Sequence, residues 1–190
     1  MQKKVRWVAI LLVCIIVMVG SYASARLVVI RSKVEEPIVS SGFRVKVGLF
    51  VPTDNEVNDI YGSGPIFGAD CLYLFPHKRY GVAVGLDYFY KSGFDGSVKQ
   101  DRLVIPITGS FLYFLTEEKD LYLGAGFGYY SVRETKEMTG TTTSESELGM
   151  GFHVVGGYNH RNLFGEIKIS SAPMDSGNAG GVSLMIGISF

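Results

Sequence analysis

The chain has 190 residues, enough for one domain, and nothing in it suggests a second. Glycine is abundant at 24 residues and aromatics reach 13%, while only 19% of residues are charged, a balance that suits strands and tight turns better than helices. Basic and acidic residues are equal at 18 each, so no basic excess points to nucleic acid as a partner.

Lys3, Lys4 and Arg6 form a basic start, Trp7 to Val19 an apolar run, and Ala23, Ser24 and Ala25 the small-x-small pattern that a signal peptidase cuts. The run is shorter than the roughly 20 residues that a bilayer-spanning helix needs, so residues 1–25 read as a secretory signal peptide rather than an anchor. Cleavage after Ala25 removes three basic residues and leaves a mature product near −3. Cys14 leaves with the leader, and the Leu11, Leu12 and Val13 before it lack the small residues of a lipoprotein site. Cys71 then stands alone, which excludes a disulfide framework and a cysteine metal site. Residues 26–42 follow as a periplasmic lead-in, where charged residues and Pro37 interrupt any regular pattern.

From Phe43 the pattern is regular. Phe43, Val45, Val47, Leu49 and Val51 alternate with Arg44, Lys46 and Gly48, giving a first strand that ends at Pro52. A polar loop leads to a second strand, Ile66 to Phe75, with Phe67, Ala69, Cys71 and Tyr73 on its bulky side. After a short turn, a third strand begins at Tyr80 and sets Val82, Val84, Leu86, Tyr88 and Tyr90 against Gly81, Ala83, Gly85 and Asp87. Residues 91–101 read as a long loop and Arg102 to Leu115 as a fourth strand. Pro106 lies inside that strand and cannot donate to a ladder, so a bulge is expected there. The fifth strand, from Leu121, contains GAGFGYY, which alternates as a strand and is followed by no helix, so its glycines read as room for neighbouring interior side chains. Residues 133–147 form a polar low-complexity stretch, expected to be a mobile loop. A sixth strand runs from Leu148 to Tyr158 and a seventh from Leu163 to Ser170. The closing stretch from Gly180 to Phe190 alternates Val182, Leu184, Ile186, Ile188 and Phe190 against Ser183, Met185, Gly187 and Ser189.

The seven connections alternate long and short, as an up-and-down barrel with both termini on one side requires. Bulky residues lie on one face of nearly every strand and small ones on the other. An eight-stranded barrel has little room inside, so the small face suits the interior and the bulky face suits lipid. Closing the sheet also pairs every backbone group that would otherwise be stranded in hydrocarbon. Tyr73, Phe75, Tyr80, Tyr88, Tyr90, Phe111, Tyr113, Tyr129 and Tyr158 fall near strand ends, where aromatic girdles are expected.

These features, with the terminal Phe190 after an alternating strand, resemble the small outer-membrane β-barrels of the OmpA, OmpX and OmpW type. The resemblance covers residues 43–190. It implies an all-β fold, an eight-stranded antiparallel up-and-down transmembrane β-barrel preceded by a signal peptide, located in the bacterial outer membrane. It implies outer-membrane lipid as surroundings, a monomer, and recognition of Phe190, Ile188 and Ile186 by the barrel-assembly machinery. It transfers no active site.

Arg44, Lys46 and Lys168 fall on the interior side, as do Asp70, Asp87 and Glu166, so a lumen charge network of three cations and three anions is expected. No cofactor and no metal site is read: Asp54, Glu56 and Asp59 do not have the spacing of a calcium loop. The nearest approach to catalytic chemistry is a Ser–His–acid set of Ser170, His153 and Glu166. Lipid A deacylases are eight-stranded barrels that the segment KISSA faintly resembles, yet Lys168 stands where they carry histidine, and lysine is a poor base without a large pKa shift. The leading expectation is therefore a non-enzymatic envelope protein supporting membrane integrity or making surface contacts through its loops. A narrow transporter of small or hydrophobic solutes is the second expectation and a lipid A-modifying acyl hydrolase the third.

Overall fold

The computed structural model of the chain describes residues 42–76, 78–96, 98–138 and 141–190. The expected signal peptide, residues 1–25, and all of the lead-in before Gly42 lie outside the described residues.

Eight strands follow in chain order: β1 (Gly42–Pro52), β2 (Gly64–Leu74), β3 (Tyr80–Asp95), β4 (Val98–Phe114), β5 (Leu121–Met138), β6 (Thr141–His160), β7 (Leu163–Ser171) and β8 (Gly181–Ser189). Each pairs antiparallel with its neighbours in sequence, and β8 returns to β1, so the sheet is a closed up-and-down barrel. The seam runs in register from Arg44↔Ser189 to Pro52↔Gly181, and the Phe190 amide donates to the Phe43 carbonyl at 2.9 Å. Closure is dictated by the alternation. The outer face of the strands is apolar over the membrane-length part, whereas the other face carries charged residues among apolar ones, and closing the sheet takes that mixed face inside.

The bulky face points outward. Leu123, Phe127, Phe152, Ile167, Leu184, Ile186 and Phe190 are each more than half exposed. A continuous apolar belt of this kind suits hydrocarbon and not water. At the short-turn end, Tyr73, Phe75, Tyr80 and Phe111 form a chain of ring contacts at centroid distances of 5.2 to 5.8 Å, placing an aromatic rim where the belt ends.

Two expected loops are strands instead. Residues 91–95 form the end of β3 and residues 98–101 the start of β4, paired down to Asp95↔Val98. Residues 133–138 belong to β5 and residues 141–147 to β6, which pair without a break to Met138↔Thr141. The lengths that alternation assigned to loops are therefore spent on strands of 16 to 20 residues, while β1, β2, β7 and β8 have 9 to 11. About 9–11 residues cross a membrane, so β3 to β6 rise beyond the belt. Above the belt, residues 133–138 and 141–147 of the β5–β6 hairpin bury neither face, so no apolar period is needed there and Thr and Ser hold the ladder with no sign in the hydrophobic pattern. The first connection also differs from a plain loop, because it carries helix α1 (Asn55–Tyr61) capped by Asp54, whose Oδ1 accepts from the amides of Glu56 and Val57.

Pro106 makes no bulge. The β4–β5 ladder passes through Pro106↔Tyr130, and the β3–β4 ladder lapses opposite Asp87 and Tyr88, then resumes at Phe89↔Val104 in the same register. A missing donor costs one ladder bond on one side, which a strand paired on both sides tolerates without an inserted residue.

Candidate functional site

The lumen is built in three layers. At the long-strand end Phe50, Ile66, Phe89, Val104, Tyr130 and Met185 pack together; at the short-turn end Leu72, Leu74, Leu112, Phe114, Tyr122 and Val155 do the same. This corrects the expectation of an interior filled mainly by small residues. Between the layers lie Arg44, Lys46, Asp70, Asp87, Glu166 and Lys168, each no more than 7% exposed.

Strand register brings these six groups together. Arg44 stands opposite Asp70 across β1–β2, and its Nε donates to Oδ1 at 2.5 Å. Lys46 stands opposite Gly68, which in turn stands opposite Asp87. A side chain at Gly68 would collide with Asp87 Oδ1 and the Lys46 stem, so this glycine is the gap through which lysine and aspartate meet. Lys46 Nζ lies 3.2 Å from Asp70, 3.5 Å from Asp87 and 3.0 Å from Glu166, making it the centre of the cluster. Lys168 Nζ reaches Asp87 Oδ2 at 2.5 Å, and Arg44 approaches Glu166 at 3.8 Å. Tyr122, not singled out from the sequence, donates to Glu166 at 2.9 Å. The Arg44 guanidinium covers the Phe164 ring at 4.6 Å. Three cations and three anions thus neutralise one another in a space closed above and below by apolar side chains. Voids of about 20 and 10 Å³ touch this layer among the described residues, each with room for one water at most.

His153 faces the same lumen with its Nε2 at 2.8 Å from Ser110 Oγ, while its Nδ1 has no hydrogen-bond partner among the described residues. Gly126 supplies its space, since a Cβ there would press on the imidazole ring. Ser170 is occupied elsewhere, accepting from the Gly181 amide at 3.2 Å and donating to its carbonyl at 3.3 Å. Glu166 is spent on Lys46, Arg44 and Tyr122. The nominated Ser–His–acid set is therefore not assembled. Ser110 was not anticipated, because it is 43 residues from His153 in sequence and only the barrel brings the two together.

The long-strand end is closed by a second, polar arrangement. Asp54 Oδ2 accepts from the Asn178 amide at 3.0 Å, joining α1 to the β7–β8 loop. That bond, with those from Val57 and Glu56, holds the Asp54 carboxyl below its ordinary pKa. Glu147 accepts from the amides of Asp175 and Ser176 and from the Ser176 hydroxyl. Arg102, 1% exposed, donates to Glu134 at 2.5 Å and to the Ser176 carbonyl at 3.4 Å, with its guanidinium 5.8 Å from the Tyr61 ring. Tyr61 in turn donates to Gln100, and burial pushes its phenol up to about 12. Of the acidic residues in this first connection, Asp54 is thus a helix cap and a loop tie.

The chain matches no protein-family model and no curated protein sequence. Solved structures do resemble it. The attachment invasion locus protein Ail of Yersinia pestis is similar over 80% of this chain and 100% of its own, at 16% identity and a TM-score of 0.60. The N-terminal β-barrel domain of Pseudomonas aeruginosa OprF is similar over 78% of this chain and 97% of its own, at 12% identity, and neisserial surface protein A over 79% and 98%, at 15%, both with a TM-score of 0.50. The chain has the fold of the small outer-membrane β-barrels. At such identities what is shared is the fold.

Proposed function

We propose that this protein is an integral barrel of the bacterial outer membrane, closed to solutes, that acts through the strands and loops standing above the lipid. The apolar belt and aromatic rim support the location, as does the likeness to Ail, whose backbone structure has been determined in a phospholipid bilayer nanodisc. The terminal Phe190, 71% exposed beside Ile186 and Ile188 on the outer face, is available to the barrel-assembly machinery during insertion. The role in envelope integrity or surface contact is favoured over transport by one observation, the filled lumen. Among the described residues, two apolar layers with a neutralised charge layer between them leave no continuous path, and opening one would unpair charges in a space of low dielectric. A catalytic reading has little to stand on, since His153 meets Ser110 with no carboxylate at its other nitrogen.

Planar-bilayer recording of the purified barrel tests this. The expected result is no unitary conductance in the native protein. Steady conductance that is abolished by Lys46→Ala would establish the narrow-channel reading instead. Hydrolysis of labelled lipid A lost in His153→Ala would establish an acyl hydrolase.

A further inference from the structure

Tyr130 carries a hydroxyl that its place in an apolar layer does not explain. Its ring packs with Phe50, Phe89 and Val104 at the long-strand end, and Gly151 makes room for it, since a Cβ there would press on the ring edge. A phenylalanine would fill that place equally. Tyr130 is 2% exposed, yet its hydroxyl has no hydrogen-bond partner among the described residues. Ser170 lines the same void beside it, but the Ser170 Oγ is engaged with both the amide and the carbonyl of Gly181. A buried tyrosine hydroxyl ordinarily finds a partner, and leaving one unpaired is costly.

A second unpaired group lies against the same space. Asp87, also 2% exposed, accepts from Lys168 through Oδ2, while its Oδ1 has no hydrogen-bond partner among the described residues and Lys46 approaches it only to 3.5 Å. Tyr130, Asp87, Lys168, Ser170 and Ser183 line one void of about 20 Å³, together with Pro106. Pro106 brings no amide to the wall, and the β3–β4 ladder lapses there opposite Asp87. A donor, an acceptor and a gap in the backbone ladder therefore meet around one small space. Size and charge decide what it holds. The void is too small for an organic ligand. An added cation would meet Lys168 and an added anion Asp87, and either would upset the balance of three charges of each sign. A neutral molecule of one heavy atom that both donates and accepts fits, and a buried water needs roughly 10–15 Å³ with two to four polar partners.

We propose that this void is a binding site for one structural water, which accepts from Tyr130 Oη and donates to the Asp87 carboxylate. Tyr130 is then a positioning residue. Its ring belongs to the apolar layer, and through the water its hydroxyl fastens that layer to the charge layer. The other void, of about 10 Å³, is lined by none of the unpaired groups, so it is expected to stay dry. The site goes beyond the surface-contact reading and does not depend on what the strands above the lipid touch.

High-resolution crystal structures of the native protein and of Tyr130→Phe test this, together with urea unfolding of both in lipid vesicles. In the native protein a density peak is expected within hydrogen-bond distance of Tyr130 Oη and the Asp87 carboxylate, with none in the smaller void, and Tyr130→Phe should lose it. The unfolding constant of Tyr130→Phe should rise by about threefold to tenfold, because a hydrogen bond through water is lost. The sign of that change is decisive, since removing a hydroxyl that had no partner would leave the protein equally or more stable. An empty void beside an ordered Tyr130, a direct bond from Tyr130 to Ser170 in place of the water, or a Tyr130→Phe protein as stable as the native one would overturn the proposal. Should Tyr130→Phe not fold, density in the native protein decides alone: the peak supports the site and its absence defeats it. A continuous file of waters through both apolar layers would overturn the closed-lumen reading along with the single site, whereas an empty void in a sealed lumen defeats the site alone.

Discussion

At the scale of single residues, the lumen cluster is arranged so that each charge depends on more than one partner. Lys46 is the hub, touching all three carboxylates. Removing it as Lys46→Met leaves three buried anions with two cations, and unfolding by urea in lipid vesicles should show a loss of about 3–5 kcal/mol. The double change Lys46→Met with Glu166→Gln restores charge balance and should recover part of it, which a simple packing defect would not. Gly68 is a second sensitive position: Gly68→Val would force Lys46 and Asp87 apart and should cost about 1–3 kcal/mol or more in the same assay. Periodicity alone put all six charges on one face of their strands. Which cation meets which anion depends on register between strands as far apart as β1 and β7, and that is not written in any one stretch.

At the scale of elements, the long-strand end is held by side chains that tie loops to one another. Asp54 joins α1 to the β7–β8 loop, and Glu147 joins the β6 extension to the same loop. The Asp54 pKa is lower in the folded protein than in the unfolded chain, so its contribution is present above the unfolded value near 4 and is lost as pH falls through the lower folded value. Amide exchange at Asn178 and within α1 should therefore accelerate below about pH 4 in the native protein, and much less so in Asp54→Asn. Glu147→Gln should raise protease cutting near Asp175 and Ser176 while leaving the barrel's heat-modifiable mobility unchanged. The β5–β6 hairpin shows where periodicity stops informing. Residues 133–147 carry no apolar alternation, because neither face of that ladder is buried, and a polar strand and a polar loop then look alike. The cap at Asp54 is visible in hindsight as an acidic residue three positions before Val57, but the segment is too short for a helical period to declare itself.

For the whole molecule, the decisive quantity is which side of the sheet meets hydrocarbon. Ile186→Arg places a charge on the outer belt and should cost about 2–4 kcal/mol near the bilayer centre. Changing Ser183 on the opposite face of the same strand to Ala should cost far less, and urea titration in vesicles compares the two directly. Strand number, closure and the outward belt follow from the sequence by itself, because period-two alternation is a local property that eight segments repeat and a closed sheet is the arrangement that leaves no backbone unpaired in lipid. Tertiary structure alone decided the extent of β3 to β6, the pairing of Ser110 with His153 and the sealing of the lumen into three layers. Each of these depends on residues distant in the chain being brought opposite one another, and only the register of the closed barrel determines that.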